Sequence, residues 1–165
     1  MTEFTKSSED PKEEPKAKTA VTFSQPSKEL ATRLLGKVSF KERLIGSIEH
    51  PGPGAAPHSI YSFAEAAVFL DGGDLTGQDH TYTIRFDILK KWIDETLGDK
   101  ELAQAIEEIT KEVSGNWKVP FQQYLRSLEL IEPVQGLMMQ RLKQCKMMMG
   151  IEFTEGELEA LGLIR

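Results

Sequence analysis

Three histidines and a neighbouring aspartate are the residues of this sequence that could bind a metal ion. His50, His58 and His80 lie in or beside predicted loops, and Asp79 directly precedes His80. Imidazole and carboxylate groups are common ligands of zinc and related metals. The pattern is weak, because no two histidines have the i, i+4 spacing that places both on one helix face. His58, Asp79 and His80 therefore support an alternative interpretation only, a small metal-dependent enzyme.

Other catalytic motifs fail on their spacing. A calcium loop counted from Asp71 would place Gly73, Leu75 and Tyr82 at positions that need oxygen ligands. The sequence contains neither a Gly-x-Ser-x-Gly nucleophile motif nor a glycine-rich phosphate loop. We therefore predict no catalytic residue and no cofactor, and the sequence favours a protein without enzymatic activity.

A methionine-rich segment near the C-terminus is the strongest candidate for binding a partner. Residues 137–149 contain five of the six methionines. Methionine side chains are flexible and polarizable, so they adapt to varied apolar surfaces. The predicted contacts with another protein or a second copy of this chain are Met138, Met139, Arg141, Leu142, Cys145, Met148 and Met149. The alternative is a core helix, although three successive methionines cannot all face one side of it.

Basic residues could form a nucleic-acid surface, but the charge balance disfavours it. The net charge is −6, so the chain as a whole repels phosphate backbones. The candidates for a helical DNA-binding regulator are Lys37, Lys41, Arg43, Arg126, Arg141, Lys143 and Lys146. Glutamates lie among them at Glu42, Glu49, Glu129 and Glu132. We therefore predict a mixed, solvated surface that does not bind nucleic acid.

The composition predicts a cytoplasmic protein without a membrane segment. No apolar run approaches the roughly 20 residues that cross a bilayer, and no apolar signal region follows Met1. The single cysteine, Cys145, excludes a disulfide within the chain and fits a reducing compartment.

The elements around these candidates are predicted to be helical. Apolar residues recur at helical spacing over Phe86–Leu97 and over Lys100–Val113. Between the two segments, Gly98 can adopt the left-handed conformation that ends a helix. Asp99 can then accept a hydrogen bond from a free N–H group at the start of the next helix. The pattern predicts a capped helical hairpin.

Capping patterns predict the other helices. Ser27 precedes a helix that ends at Gly36, and Ser/Thr-x-x-Glu capping boxes begin at Ser39, Ser62 and Thr154. The apolar residues that continue at helical spacing after Ser39, and so predict a second helix, are Phe40, Leu44, Ile45 and Ile48. The last third is predicted as two helices, Pro120–Ile131 and Pro133–Met149, because proline disrupts a helix interior.

The fold class that follows is all-α, a small bundle of five to seven short helices around the capped hairpin. Residues 1–26 are predicted as a disordered tail, because their long polar run cannot bury enough apolar surface. Residues 27–165 form a single helical domain, with a candidate sub-boundary at the proline- and glycine-rich residues 51–58. Residues 80–84 alternate β-forming side chains, but no partner strand is evident, so we predict an extended lead-in to the hairpin.

The hairpin motif resembles a known sequence pattern. The residues Trp92-Ile93-x-x-x-Leu97-Gly98-Asp99-x-Glu101-Leu102-Ala103 resemble an uncharacterised prokaryotic helical domain, the family of unknown function numbered 5752. The resemblance covers residues 63–109, and Leu89 stands where that pattern usually has phenylalanine. It implies a helical fold and no particular activity. The function predicted from the residues is a non-catalytic protein-interaction or regulatory module that uses the methionine-rich helix.

Overall fold

A computed structural model describes residues 21–49, 54–70, 80–114 and 120–161. Within these ranges the chain is mostly helical and also contains a small sheet. The helices are α1 (Lys28–Leu35), α2 (Phe63–Leu70), α3 (Phe86–Lys91), α4 (Lys100–Ser114), α5 (Pro120–Met149) and α6 (Glu155–Ala160). The strands are β1 (Leu44–Glu49), β2 (Ala55–Ile60) and β3 (Thr81–Thr83).

The three strands form an antiparallel sheet in the order β2-β1-β3, so the all-α prediction is wrong in this part of the chain. Its central strand, β1, occupies the segment predicted as the second helix. The predicted Ser39 capping box does not form: the Ser39 side chain makes no capping hydrogen bond, and its hydroxyl instead donates to the Glu42 carboxylate at 2.9 Å. A backbone hydrogen bond from the Glu42 N–H to the Ser39 carbonyl closes only one 3₁₀ turn, Phe40–Glu42, after which the chain extends. In β1, Ile48 pairs with residues on both neighbouring strands.

Gly46 allows β1 to pack closely against α2. A Cβ atom at this position would lie 2.6 Å from Cε1 of Phe69, a buried residue of α2. Any larger residue would therefore displace the phenylalanine ring. The apolar spacing from Phe40 to Ile48 fits a helix, but the β-branched isoleucines also favour a pleated surface packed against α2.

Two segments that were predicted as loop or extended chain belong to this sheet. Thr81–Thr83 pairs with Ser47–Glu49, so its partner strand is the segment predicted as the second helix. Ala55–Ile60 pairs with the whole of β1, which makes the second half of the candidate sub-boundary part of a hairpin. Residues 50–53 of that sub-boundary, and the acidic turn at residues 71–79, lie outside the described residues.

The predicted helical hairpin is confirmed in its main features. Gly98 has a φ of +79°, and the Asp99 carboxylate accepts a hydrogen bond from the Leu102 N–H at 3.1 Å. The first helix ends in a π-helical turn, Trp92–Thr96, in which the Leu97 N–H donates to the Trp92 carbonyl at 3.1 Å. The helices predicted after Ser27, Ser62 and Thr154 are also present as α1, α2 and α6.

The long helix α5 contradicts the predicted break at Pro133. It runs without interruption from Pro120 to Met149. A proline inside a helix costs about 3 kcal/mol. The helix packs against α1, α2 and α4, and burial of one large apolar side chain stabilises by about 1.5–3 kcal/mol, so tertiary packing outweighs this cost.

The apolar core lies where these helices meet. Leu34, Phe63, Ile106 and Val134 come from four different helices and are all fully buried. None of the helices in the described ranges has both the length and the apolar character needed to cross a lipid bilayer.

Candidate functional site

The methionine-rich part of α5 faces mostly inward. Met138, Met139, Leu142 and Cys145 are at most 2% exposed, and burial raises the pKa of the Cys145 thiol to about 11. These side chains form core, so they do not offer a surface to a partner. In the last turn Met147 is 66% exposed and Met148 is 36% exposed, whereas Met149 is half-buried. The expectation that one of three successive methionines is exposed is confirmed.

Arg141 is also buried, but it is paired with a carboxylate. Its Nε donates to Asp99 Oδ2 at 2.8 Å, and its Nη2 donates to Asp99 Oδ1 at 3.2 Å. The same carboxylate caps α4, so one ion pair fixes the start of α4 against the middle of α5. Breaking a buried pair of this kind by removing one partner costs about 3–5 kcal/mol.

Residues 21–24, which belong to no helix or strand, lie across this ion pair. Arg141 Nη1 donates to the Ser24 carbonyl at 2.8 Å, and Gln144 Nε2 donates to the carbonyls of Phe23 and Ser24, both at 3.1 Å. Gln140 Nε2 donates to the Val21 carbonyl. The tail predicted for residues 1–26 is therefore wrong for residues 21–26, and residues 1–20 lie outside the described part of the chain.

The N-terminal end of α4 completes the contact. Both the N–H and the hydroxyl of Ser24 donate to the Glu101 carboxylate, each at 2.5 Å. The hydrogen bond from the Ser24 side chain lowers the pKa of Glu101, and the nearby positive Arg141 lowers it further, although partial burial opposes both. Phe23 is 4% exposed, and its ring centroid lies 5.3 Å from the Arg141 guanidinium.

We call the surface formed by Glu101, Gln140, Arg141 and Gln144 the peptide groove. It supplies donors to backbone carbonyls and an acceptor to a backbone N–H, which is the chemistry that binds an extended peptide. It also covers one aromatic side chain, that of Phe23. The contacts that it makes with residues 21–24 are hydrogen bonds and a cation–aromatic contact, which are contacts of the kind that bind a peptide.

The sequence contains one signal for the docked segment. Val21, Phe23 and Pro26 are apolar residues that follow a long polar run, and Phe23 and Pro26 are buried. Val21 and Phe23 have the i, i+2 spacing that is typical of an extended segment with one buried face.

The residues of the predicted metal site are only partly described. His58, on β2, stacks on Phe69 with ring centroids 5.1 Å apart, and its Nε2 lies 4.0 Å from the Glu65 carboxylate. Both line an open cleft of about 410 Å³ between the sheet, α2 and α6. His80 lies just before β3, and Asp79 is outside the described residues. Among the residues that are described, no three His, Cys, Asp or Glu side chains are grouped to hold a metal ion.

The basic residues considered for DNA binding are partly neutralised. Arg126 pairs with Glu112 and Glu129 on the surface, and Arg141 pairs with Asp99. Another of the candidates, Lys146, forms a buried pair with Glu157. A phosphate-binding face needs free cations, so this pairing favours the mixed surface predicted from the sequence.

Comparison of the chain with protein-family models, with curated proteins and with solved structures gives no match. The resemblance of residues 63–109 to the family of unknown function numbered 5752 therefore stays a prediction. The residues that carry the resemblance have a clear structural role, because Gly98 and Asp99 form the joint on which Arg141 is held.

Proposed function

We propose that this protein is a non-catalytic interaction module whose peptide groove binds an extended segment of a partner. The observation that carries the proposal is the docking of residues 21–24 in that groove. The chain's own segment occupies the groove in the absence of a partner. A partner segment would compete for the same hydrogen bonds and for the site of Phe23.

The contacts of the docked segment define the partner chemistry. The bonds to Val21, Phe23 and Ser24 involve backbone carbonyls, which every residue type offers. Selectivity comes from the buried aromatic ring and from the hydroxyl that donates to Glu101. We therefore expect a partner segment with an aromatic residue followed by serine or threonine.

The proposal requires that the groove binds such a segment without a covalent connection. Only residues 25–27 connect Ser24 to α1. A short linker of this kind gives the docked segment an effective concentration of about millimolar or more, so a free peptide competes poorly with it. A variant with a weakened segment should therefore bind free peptide more tightly than the wild type does.

The experiment uses the full chain and a fluorescein-labelled peptide with the sequence of residues 21–27. Phe23→Ala in the protein removes the buried ring, and fluorescence anisotropy then measures binding of the peptide. We expect the variant to bind at least about tenfold more tightly than the wild type, since the competing segment is weakened. A peptide with alanine in place of its phenylalanine is the matched control and should not bind.

A second variant keeps the test valid if Phe23→Ala unfolds the protein. Ser24→Pro removes the N–H and the hydroxyl that bind Glu101 but leaves Phe23 in place. Failure of both folded variants to bind the peptide, or equal binding of the alanine control peptide, would refute the proposal. Circular dichroism establishes that each variant is folded.

Self-association is a second form of the same class of function. The exposed methionines Met147 and Met148, with Ile151 at 45% exposure, give α5 an apolar end. Light scattering of the wild type and of Met147→Ser/Met148→Ser compares their masses in solution. If the wild type is a monomer and the double variant has the same mass, self-association through this end of α5 is excluded. The peptide groove then remains as the candidate interface.

A further inference from the structure

Ser24 is an exposed residue whose two hydrogen-bond donors face a single carboxylate. Its N–H donates to Glu101 Oε1 and its hydroxyl to Glu101 Oε2, each at 2.5 Å. Both bonds require Ser24 to donate, because an ionised carboxylate only accepts. A change at this one solvent-exposed side chain can therefore weaken the contact between the docked segment and Glu101.

We propose that Ser24 is a phosphorylation site, and that phosphorylation releases residues 21–24 from the peptide groove. This inference rests on the proposed function and names its regulation. A modifying enzyme transfers the terminal phosphoryl group of a nucleoside triphosphate to Oγ of Ser24. The bond between Oγ and phosphorus forms, the bond to the leaving nucleoside diphosphate breaks, and the hydroxyl proton passes to a base of that enzyme.

The phosphoryl group converts attraction at Glu101 into repulsion. Phosphoserine carries a charge of about −1.5 to −2 at pH 7, and its oxygens act mainly as acceptors. The Glu101 carboxylate also carries negative charge, and its pKa is lowered. After modification, Oγ no longer donates a hydrogen bond. The phosphoryl group and the Glu101 carboxylate, both negatively charged, would lie within contact distance and repel each other.

Arg141 is the cation that faces Ser24, and its hydrogen bonds are already committed. It makes two hydrogen bonds to Asp99, one to the Ser24 carbonyl and one to Gln144 Oε1. The side chain is 2% exposed, so it cannot turn toward the surface without leaving Asp99. The phosphoryl group would therefore meet Glu101 without gaining this guanidinium.

The test compares the full chain with and without phosphoserine incorporated at position 24. The probe is the labelled peptide with the sequence of residues 21–27. We expect the phosphorylated chain to bind it at least about tenfold more tightly than the unmodified chain, because its own segment has left the groove. Amide hydrogen exchange of residues 21–24 should become faster at the same time.

Charge reversal at Glu101 separates electrostatic release from general disruption. In Glu101→Lys, phosphoserine 24 faces a cation, so phosphorylation should slow amide exchange of residues 21–24 and weaken peptide binding. If phosphorylation instead releases the segment in both backgrounds, the proposed mechanism is wrong. If the phosphorylated wild type binds no more peptide while Phe23→Ala does, Ser24 is not a switch and the proposed function stands. Absence of binding by Phe23→Ala and Ser24→Pro overturns both.

Discussion

Two buried ion pairs on α5 perform different tasks, although their parts are alike. Arg141 pairs with Asp99, 42 residues away in sequence, and Lys146 pairs with Glu157, 11 residues away. In both pairs the carboxylate also caps a helix. Asp99 accepts from the Leu102 N–H at the start of α4, and Glu157 accepts from the Thr154 N–H at the start of α6, each at 3.1 Å.

The difference lies in what each cation does with its other donors. Arg141 has a planar fork, so it binds Asp99 on one side and the Ser24 carbonyl on the other. Lys146 is a point charge that reaches Glu157 and the Glu152 carbonyl, both near its own helix end. An arginine can therefore join a core ion pair to the backbone of residues 21–24, whereas the lysine here closes a local turn.

The largest effect is expected from Asp99→Ala. This change removes the cap of α4 and leaves the buried Arg141 charge without its carboxylate partner. We expect the free energy of unfolding to fall by about 3–5 kcal/mol. Urea denaturation followed by circular dichroism measures it. Asp94→Ala removes the exposed pair with Lys100 and should cost less than about 1 kcal/mol. Equal losses in the two variants would mean that the Asp99 pair has no special role.

A smaller and more local effect is expected from Lys146→Met. The Glu157 carboxylate stays buried but keeps its hydrogen bond from Thr154, so we expect a loss of about 1.5–3 kcal/mol. Amide exchange should become faster in α6 and stay unchanged in residues 21–24. Lys143→Met, at an exposed position of the same helix, is the matched control. Faster exchange in residues 21–24 would show that the two ion pairs are coupled.

The sequence predicts those parts of the fold that short-range interactions determine. The joint at Gly98 and Asp99 could be predicted because a left-handed glycine and a capping aspartate act within one turn of each helix end. The same reasoning failed at Ser39, where the side chain bonds to the Glu42 carboxylate and makes no capping hydrogen bond, and only one 3₁₀ turn forms. Strand β1 depends on partners in β2 and β3 and on Phe69. All of these lie farther along the chain than the three or four residues over which a helix makes its contacts.

The candidate site could be predicted only in part, because its contacts are long-range. Arg141 was selected for its place in a methionine-rich helix, yet its partners are Asp99 and a segment 117 residues away. Composition assigned residues 21–26 to a tail because the residues before them are polar. The apolar residues Val21, Phe23 and Pro26 are too few to distinguish docking from disorder by composition.

The smallest effect concerns pH, and it tests whether Glu101 holds the peptide segment in the way that Asp99 holds α4. The pKa of Glu101 is lowered from its ordinary value of 4.5 in the folded protein. The hydrogen bonds to Ser24 therefore stabilise docking at pH values above 4.5, and this contribution is lost as the pH falls through the lowered pKa. Two-dimensional NMR of the Ser24 amide should show a titration with a midpoint below 4.5. The titration should disappear in Glu101→Gln but persist in Glu107→Gln, an exposed position on the same helix. A midpoint at or above 4.5 would mean that Ser24 does not stabilise the ionised carboxylate, and docking would then depend on the contacts of Phe23, Arg141 and the two glutamines.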